Sequence, residues 1–369
     1  MRALIFGCRI GGIGARTGEF GPILVELQSK NKKQETKIRR EPQGCGHRVV
    51  GMTPRPVAER FYTPKQDTSQ DGITVDYLEQ QVRIRGINVH IYQWSANRRR
   101  PHAIVHISHG AGEHARRYQR LANILAAAGY TVIADDHYGH GRTGVGAYGL
   151  GQLGPEGVHG ARRAVREVLH RIRAEHSGLP IIELGHSWGS LMAQQLFRNN
   201  TDLFDALVLS GTTLAQPGLI NVGNYNAAWD HLQKPHGLSW LSRDETEVHR
   251  MLDDPYGFDI AHSSVWSPLG ALGLLTLPPL PRRGRDARLP VLILGGDHDP
   301  LSYGGRGARA LAWAYRHVTR LQDVELRIYP GARHEVFNEL DRDTTTNDLL
   351  RWLAFRFEPP ASAAEDQLG

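Results

Sequence analysis

Cysteine is nearly absent. Only Cys8 and Cys45 occur in 369 residues, both within the first 51. The remainder holds no thiol, which excludes a disulfide framework, a cysteine nucleophile or a Cys-ligated zinc there. Such sparing cysteine use fits a reducing cytoplasm. Long apolar runs are missing too, and nothing approaches the roughly 18 uninterrupted apolar residues that a membrane span needs. Most of the chain also lacks an excess of either charge. The net charge of +6 lies entirely in residues 1–51, where ten Lys and Arg face four acids; residues 52–369 carry 34 of each sign. The pI of about 9.4 therefore describes one segment. The rest offers no overall positive field to a phosphate backbone, so no nucleic-acid partner is expected.

The first 51 residues differ in character from the rest of the chain. The stretch GCRIGGIG lacks the strand–turn–helix frame and the later acid of a dinucleotide site. Residues 3–7 are too short for a secretory core. Arg2, Arg9 and Arg16, without early acids, are compatible with a transit peptide, while Met52 opens a sequence that would serve as a natural start. Residues 1–74 are expected to be a basic extension, disordered or preceding the true start.

Beyond it the pattern becomes regular. VDYLEQQVRIRG and INVHIYQW alternate and read as an antiparallel pair. Short apolar runs at 103–110, 130–136, 180–187, 206–211, 290–296 and 325–331 read as buried strands. Between several of them lie stretches of helical spacing, at 115–128, 156–176 and 190–200. Alternating strands and helices imply an α/β fold with a mainly parallel sheet covered on both faces. The core is expected over 75–211 and 289–357, with a tail at 358–369. Residues 212–288 break the alternation and are too long for a simple loop. They are expected to form a helical cap over the carboxyl edge of the sheet, with a helix near 240–254.

The sequence Gly185-His186-Ser187-Trp188-Gly189 is a G-x-S-x-G motif between a strand and a helix, the context of a nucleophile elbow. A serine hydroxyl attacks poorly until a base takes its proton. On this fold the acid and then the histidine follow the serine in the chain. PVLILGGDHDPLS offers Asp297 and Asp299, and RIYPGARHEVFNE offers His334.

Four segments carry a more specific likeness. The run from His109 to His114, HGAGEH, continues as ARRY; Asp136 to Gly141 reads DHYGHG; the others are GHSWGS and YPGARHEVFNE. In this order they resemble the monoacylglycerol lipase and lysophospholipase family of α/β-hydrolases over about residues 75–357. The resemblance implies an α/β-hydrolase fold with Ser187 as nucleophile, His334 as base and Asp299 as acid. Asp299 is preferred to Asp297 because the family's acid directly precedes a pair like Pro300-Leu301. The backbone N–H groups of Ala111 and Trp188 would form the oxyanion hole. His109, His114, His137 and His140 would shape loops rather than bind metal.

Two departures stand out. Ser190 takes the place of a common glycine. Glu183 stands where an apolar residue is usual, either paired with a neighbour or at a sheet edge.

The reaction implied is ester hydrolysis through an acyl-enzyme, with no metal or organic cofactor and a monoacylglycerol- or lysophospholipid-like substrate. A prolyl-type aminopeptidase, with cap acids such as Asp244, Glu245 and Glu247, or an acyltransferase would use the same three residues. A binding protein without catalysis has no need of them. The Leu-rich run 269–280, with Arg282, Arg283, Arg285 and Arg288 beside it, offers a transient membrane-surface contact. Cap core and solvated surface are the plainer readings of those residues.

Overall fold

The computed structural model describes residues 65–68, 72–200, 202–229, 231, 237–260 and 265–358. The readings of residues 1–64 and of the tail from 359 onward lie outside these. Among the described residues nine strands form one sheet: β1 (Lys65–Thr68), β2 (Thr74–Ile84), β3 (Ile87–Trp94), β4 (Ile104–Ser108), β5 (Thr131–Asp135), β6 (Ile181–His186), β7 (Ala206–Ser210), β8 (Val291–Gly296) and β9 (Val324–Tyr329). Their spatial order is β1-β2-β3-β5-β4-β6-β7-β8-β9. From β5 to β9 every pairing is parallel, and β1 to β3 are antiparallel. The central strands are buried on both faces, so they read as continuous apolar runs.

Eight helices accompany them among the described residues: α1 (Gln119–Ala127), α2 (Gly141–Gly146), α3 (Gly157–Glu175), α4 (Trp188–Asn199), α5 (Glu245–Asp253), α6 (Pro268–Ala271), α7 (Arg306–His317) and α8 (Arg342–Phe357). The strands divide the core in two. On one face Ile181, Leu207 and Ile293 pack with α3, α4 and α7. On the other, Ile182, Val208 and Leu292 pack with α1 and α8. None of these helices is long and apolar enough to cross a membrane.

Two expectations need correction. Residues 65–68, expected within the extension, pair antiparallel with β2. The sequence KQDT contains no apolar residue and so leaves no alternation to read. Among its described residues, the region between β7 and β8 is less helical than expected. Its longest described helix, α5, starts at Glu245 rather than at 240, because the Asp244 side chain caps it by accepting from the Thr246 N–H. Trp240, Leu241, Val248 and Met251 form a small apolar cluster of their own in this region.

Candidate active site

The elbow is built by steric demand. Ser187 follows β6 with φ 51° and ψ −120°, a combination that costs on the order of 1–3 kcal/mol and persists only where neighbours enforce it. Its N–H donates to the Ser210 carbonyl at 3.0 Å, and the Ser190 hydroxyl lies 2.6 Å from the Ser187 carbonyl and 2.7 Å from the Thr212 hydroxyl. A Cβ at Gly189 would overlap the Ser108 carbonyl, and one at Gly185 would sit 2.7 Å from the Ser190 Cα. Helix α4 can therefore start directly at Trp188 only with glycine at both positions.

His334 follows β9 and is buried. Its Nδ1 is 3.0 Å from Asp299 Oδ1, and its Nε2 has no hydrogen-bond partner among the described residues. Burial would depress the imidazole pKa, but the Asp299 carboxylate overrides it and raises it above the usual value. Asp299 is fixed in turn by the Leu301 N–H at 2.9 Å and the Ser302 hydroxyl at 3.3 Å. Asp297, the competing acid, faces away: its Oδ1 accepts from the Gly331 N–H and contacts His298, each at 2.6 Å. Ser187, His334 and Ala111 line one cavity of about 20 Å³, room for one water. Its roof is apolar and comes from the region between β7 and β8, with Leu238, Trp240, Leu241, Met251, Phe258 and Ile260.

The HGAGEH loop passes close to the serine, since a Cβ on Gly110 would lie 3.0 Å from that of Ser187. The Gly110 N–H donates to Glu113 Oε1 at 2.6 Å, and Tyr118 donates to the same oxygen at 2.8 Å. Arg117 lies 3.3 Å from Glu113 and makes a two-pronged pair with Glu335 at 2.9 and 3.0 Å. Burial favours the neutral acids, and it raises the pKa of Glu113; at Glu335 the Arg117 guanidinium overrides burial and holds the carboxyl below its usual range. This ion cluster ties the HGAGEH loop to the residue after His334. Sequence reading missed it because Glu335 stands 218 residues from Arg117.

Comparison with known proteins fits this geometry. The hydrolase family described as "Serine aminopeptidase, S33" matches residues 99–341. The monoacylglycerol lipase of Mycolicibacterium smegmatis is 32% identical over 264 residues, covering 69% of this chain and 88% of that one. The monoglyceride lipase of Homo sapiens is 30% identical over 281 residues, covering 72% and 86%. The chain belongs to the monoacylglycerol lipase family of α/β-hydrolases. It is an ester-hydrolysing enzyme of that fold. Among solved structures, a thermostable carboxyl esterase from Bacillus coagulans superposes with a TM-score of 0.63 at 23% identity, covering 75% of this chain and 97% of that one. A soluble variant of monoglyceride lipase from Saccharomyces cerevisiae reaches 0.58 at 19%, covering 83% and 100%. At such identities the likeness speaks for the fold.

The histidines of the HGAGEH and DHYGHG segments sit together. His109 and His137 stack with ring centroids 3.9 Å apart, and His140 lies 5.3 Å from His109. His109 Nδ1 contacts the Gly110 carbonyl at 2.7 Å, His140 Nδ1 the Tyr138 carbonyl at 2.9 Å, and His114 Nε2 Asp254 at 2.7 Å. Burial, joined by the neighbouring rings, keeps His109 neutral, with its pKa well below the usual value. Arg282, read as solvated surface, instead donates to the Phe197 and Arg198 carbonyls at 3.0 and 2.9 Å. It thereby satisfies the open end of α4.

Proposed function

We propose that this enzyme hydrolyses carboxylic esters of an apolar acyl chain, monoacylglycerols or similar lipids, through an acyl-Ser187 intermediate. The carrying observation is the buried Asp299–His334 pair sharing one cavity with a strained Ser187. His334 takes the serine proton as Ser187 attacks the ester carbonyl and passes it to the leaving alcohol. Asp299 orients the ring and stabilises the imidazolium. The N–H groups of Ala111 and Trp188 receive the developing oxyanion, and each such donor is worth roughly 3–4 kcal/mol. Water then releases the acid by the same steps in reverse order. The apolar roof over Ser187 suits an acyl chain, and the named activities of the M. smegmatis and human relatives support the lipid class. The region between β7 and β8 then acts as the cap. Its exposed Leu269, Leu272 and Leu280 would touch a membrane surface when substrate is drawn from one.

An aminopeptidase reading has the family description in its favour. It needs a carboxylate free to hold an α-amine. Glu113 and Glu335 in the cavity are both engaged by Arg117, and Asp244 and Glu247 pair with Arg342 at 3.0 and 3.2 Å. The test is turnover of p-nitrophenyl esters of graded chain length, 1-monoacylglycerol and proline p-nitroanilide by wild type and Ser187→Ala. Ester turnover lost by about 10⁴-fold or more in the variant is expected. Cleavage of the anilide alone would overturn the ester reading.

A further inference from the structure

Beneath the site lies a buried polar chain that the reaction does not use. Glu183, His106 and Asp135 stand on adjacent strands β6, β4 and β5, all buried. Because β6 lies between β4 and β7, Glu183 is not at a sheet edge. Glu183 Oε2 is 2.6 Å from His106 Nδ1, and Asp135 Oδ1 is 3.1 Å from His106 Nε2. The Ser108 hydroxyl donates to Glu183 Oε1 at 2.6 Å. Both ring nitrogens of His106 face carboxylates, so both carry protons. Burial opposes that charge, but Glu183 and Asp135 override it and raise the ring's pKa to about 10.

The chain continues upward. Asp135 Oδ2 is 2.9 Å from His137 Nδ1. The His137 ring stacks on His109, and the His137 backbone N–H donates to His109 Nε2 at 3.0 Å. That leaves the proton of neutral His109 on Nδ1, where it donates to the Gly110 carbonyl at 2.7 Å. The Gly110 carbonyl and the Ala111 N–H belong to one planar peptide group, so holding the carbonyl aims the N–H.

We propose that Glu183, with His106, is a positioning residue for the reaction: it fixes, through Asp135, His137 and His109, the peptide that points the Ala111 N–H at the oxyanion. This rests on the reading of Ala111 as an oxyanion donor. A donor aimed where charge develops acts on the transition state far more than on bound substrate. Loss of Glu183 therefore lowers kcat and leaves KM nearly unchanged.

The experiment compares full-length wild type, Glu183→Leu, Glu183→Gln and Ser187→Ala on p-nitrophenyl butyrate. Active sites are counted by fluorophosphonate, and affinity is measured for an alkyl boronic acid that mimics the tetrahedral intermediate. The expected result is kcat per titrated site reduced at least tenfold in Glu183→Leu, with KM within threefold. Boronate affinity should fall in parallel, and Glu183→Gln, which keeps hydrogen-bonding atoms in place, should recover part of both. Unchanged kcat per titrated site in Glu183→Leu, with only fewer sites or a lower Tm, would overturn the proposal and reduce Glu183 to a structural role. Retained turnover in Ser187→Ala would instead sink the underlying reading, whatever Glu183 does. If Glu183→Leu does not fold, Glu183→Gln and Asp135→Asn carry the same test: both must lower kcat at near-constant KM, and full kcat in both overturns it.

Discussion

His334 turns Nδ1 to Asp299 at 3.0 Å and keeps Nε2 buried with no partner among the described residues. One nitrogen is oriented, and in the proposed mechanism the other takes the serine proton. Because Asp299 raises the imidazole's pKa against burial, the neutral base forms only above the usual histidine value. The kcat/KM profile should therefore rise with pH through a midpoint above 6.5. In Asp299→Asn the largest charge opposing burial is gone, so the midpoint should move down, and kcat should fall by roughly three to four orders of magnitude. A pH–rate series on a soluble ester checks both shifts.

The elbow leaves no room at position 189, where a methyl group would overlap the Ser108 carbonyl. Gly189→Ala is expected to cost about 1–3 kcal/mol or more through overpacking. Its labelling by fluorophosphonate should fall even in the folded fraction, because α4 must shift away from β4. Urea unfolding beside the labelling rate measures the two effects separately.

Arg117 is the buried counter-charge of two carboxylates. Arg117→Met should destabilise the fold by roughly 3–5 kcal/mol, as expected when one partner of a buried pair is removed. Arg117→Met with Glu335→Gln should regain part of that loss, and Arg117→Lys little, since an ammonium cannot make the two-pronged contact. Denaturant midpoints across the set decide it.

His106 links pH to stability. Its folded pKa of about 10 lies above the unfolded value near 6.5. Its contribution is complete below about pH 6.5 and fades as pH climbs toward 10. Thermal unfolding midpoints should decline across that window. The decline should be shallower in Glu183→Gln, where one of the two carboxylates facing the ring is gone. Equal slopes in both proteins would contradict the charge assignment.

Much of the fold is legible in the residues. Buried parallel strands announce themselves as short, largely apolar runs, and the elbow by glycines that its packing requires. Strand β1 is not legible, because KQDT has no apolar face, nor is α2, six residues inside a glycine-rich loop. Spacing alone leaves Asp297 and Asp299 open; the direction of each side chain separates them, toward Gly331 for one and His334 for the other. Glu183 looks anomalous in sequence because its partners come from strands that only folding makes adjacent. His106 lies 77 residues away in sequence and directly opposite in the sheet.

The Phe258 N–H donates to the Gly112 carbonyl at 2.9 Å, one residue past Ala111. The roof and the loop beside the serine thus share a tether, and coupling between two such sites is reciprocal. A ligand that rigidifies this loop should therefore also slow solvent exchange of the Phe258 amide. The enzyme's readiness to react can in that way be followed at a single proton on its outer cover.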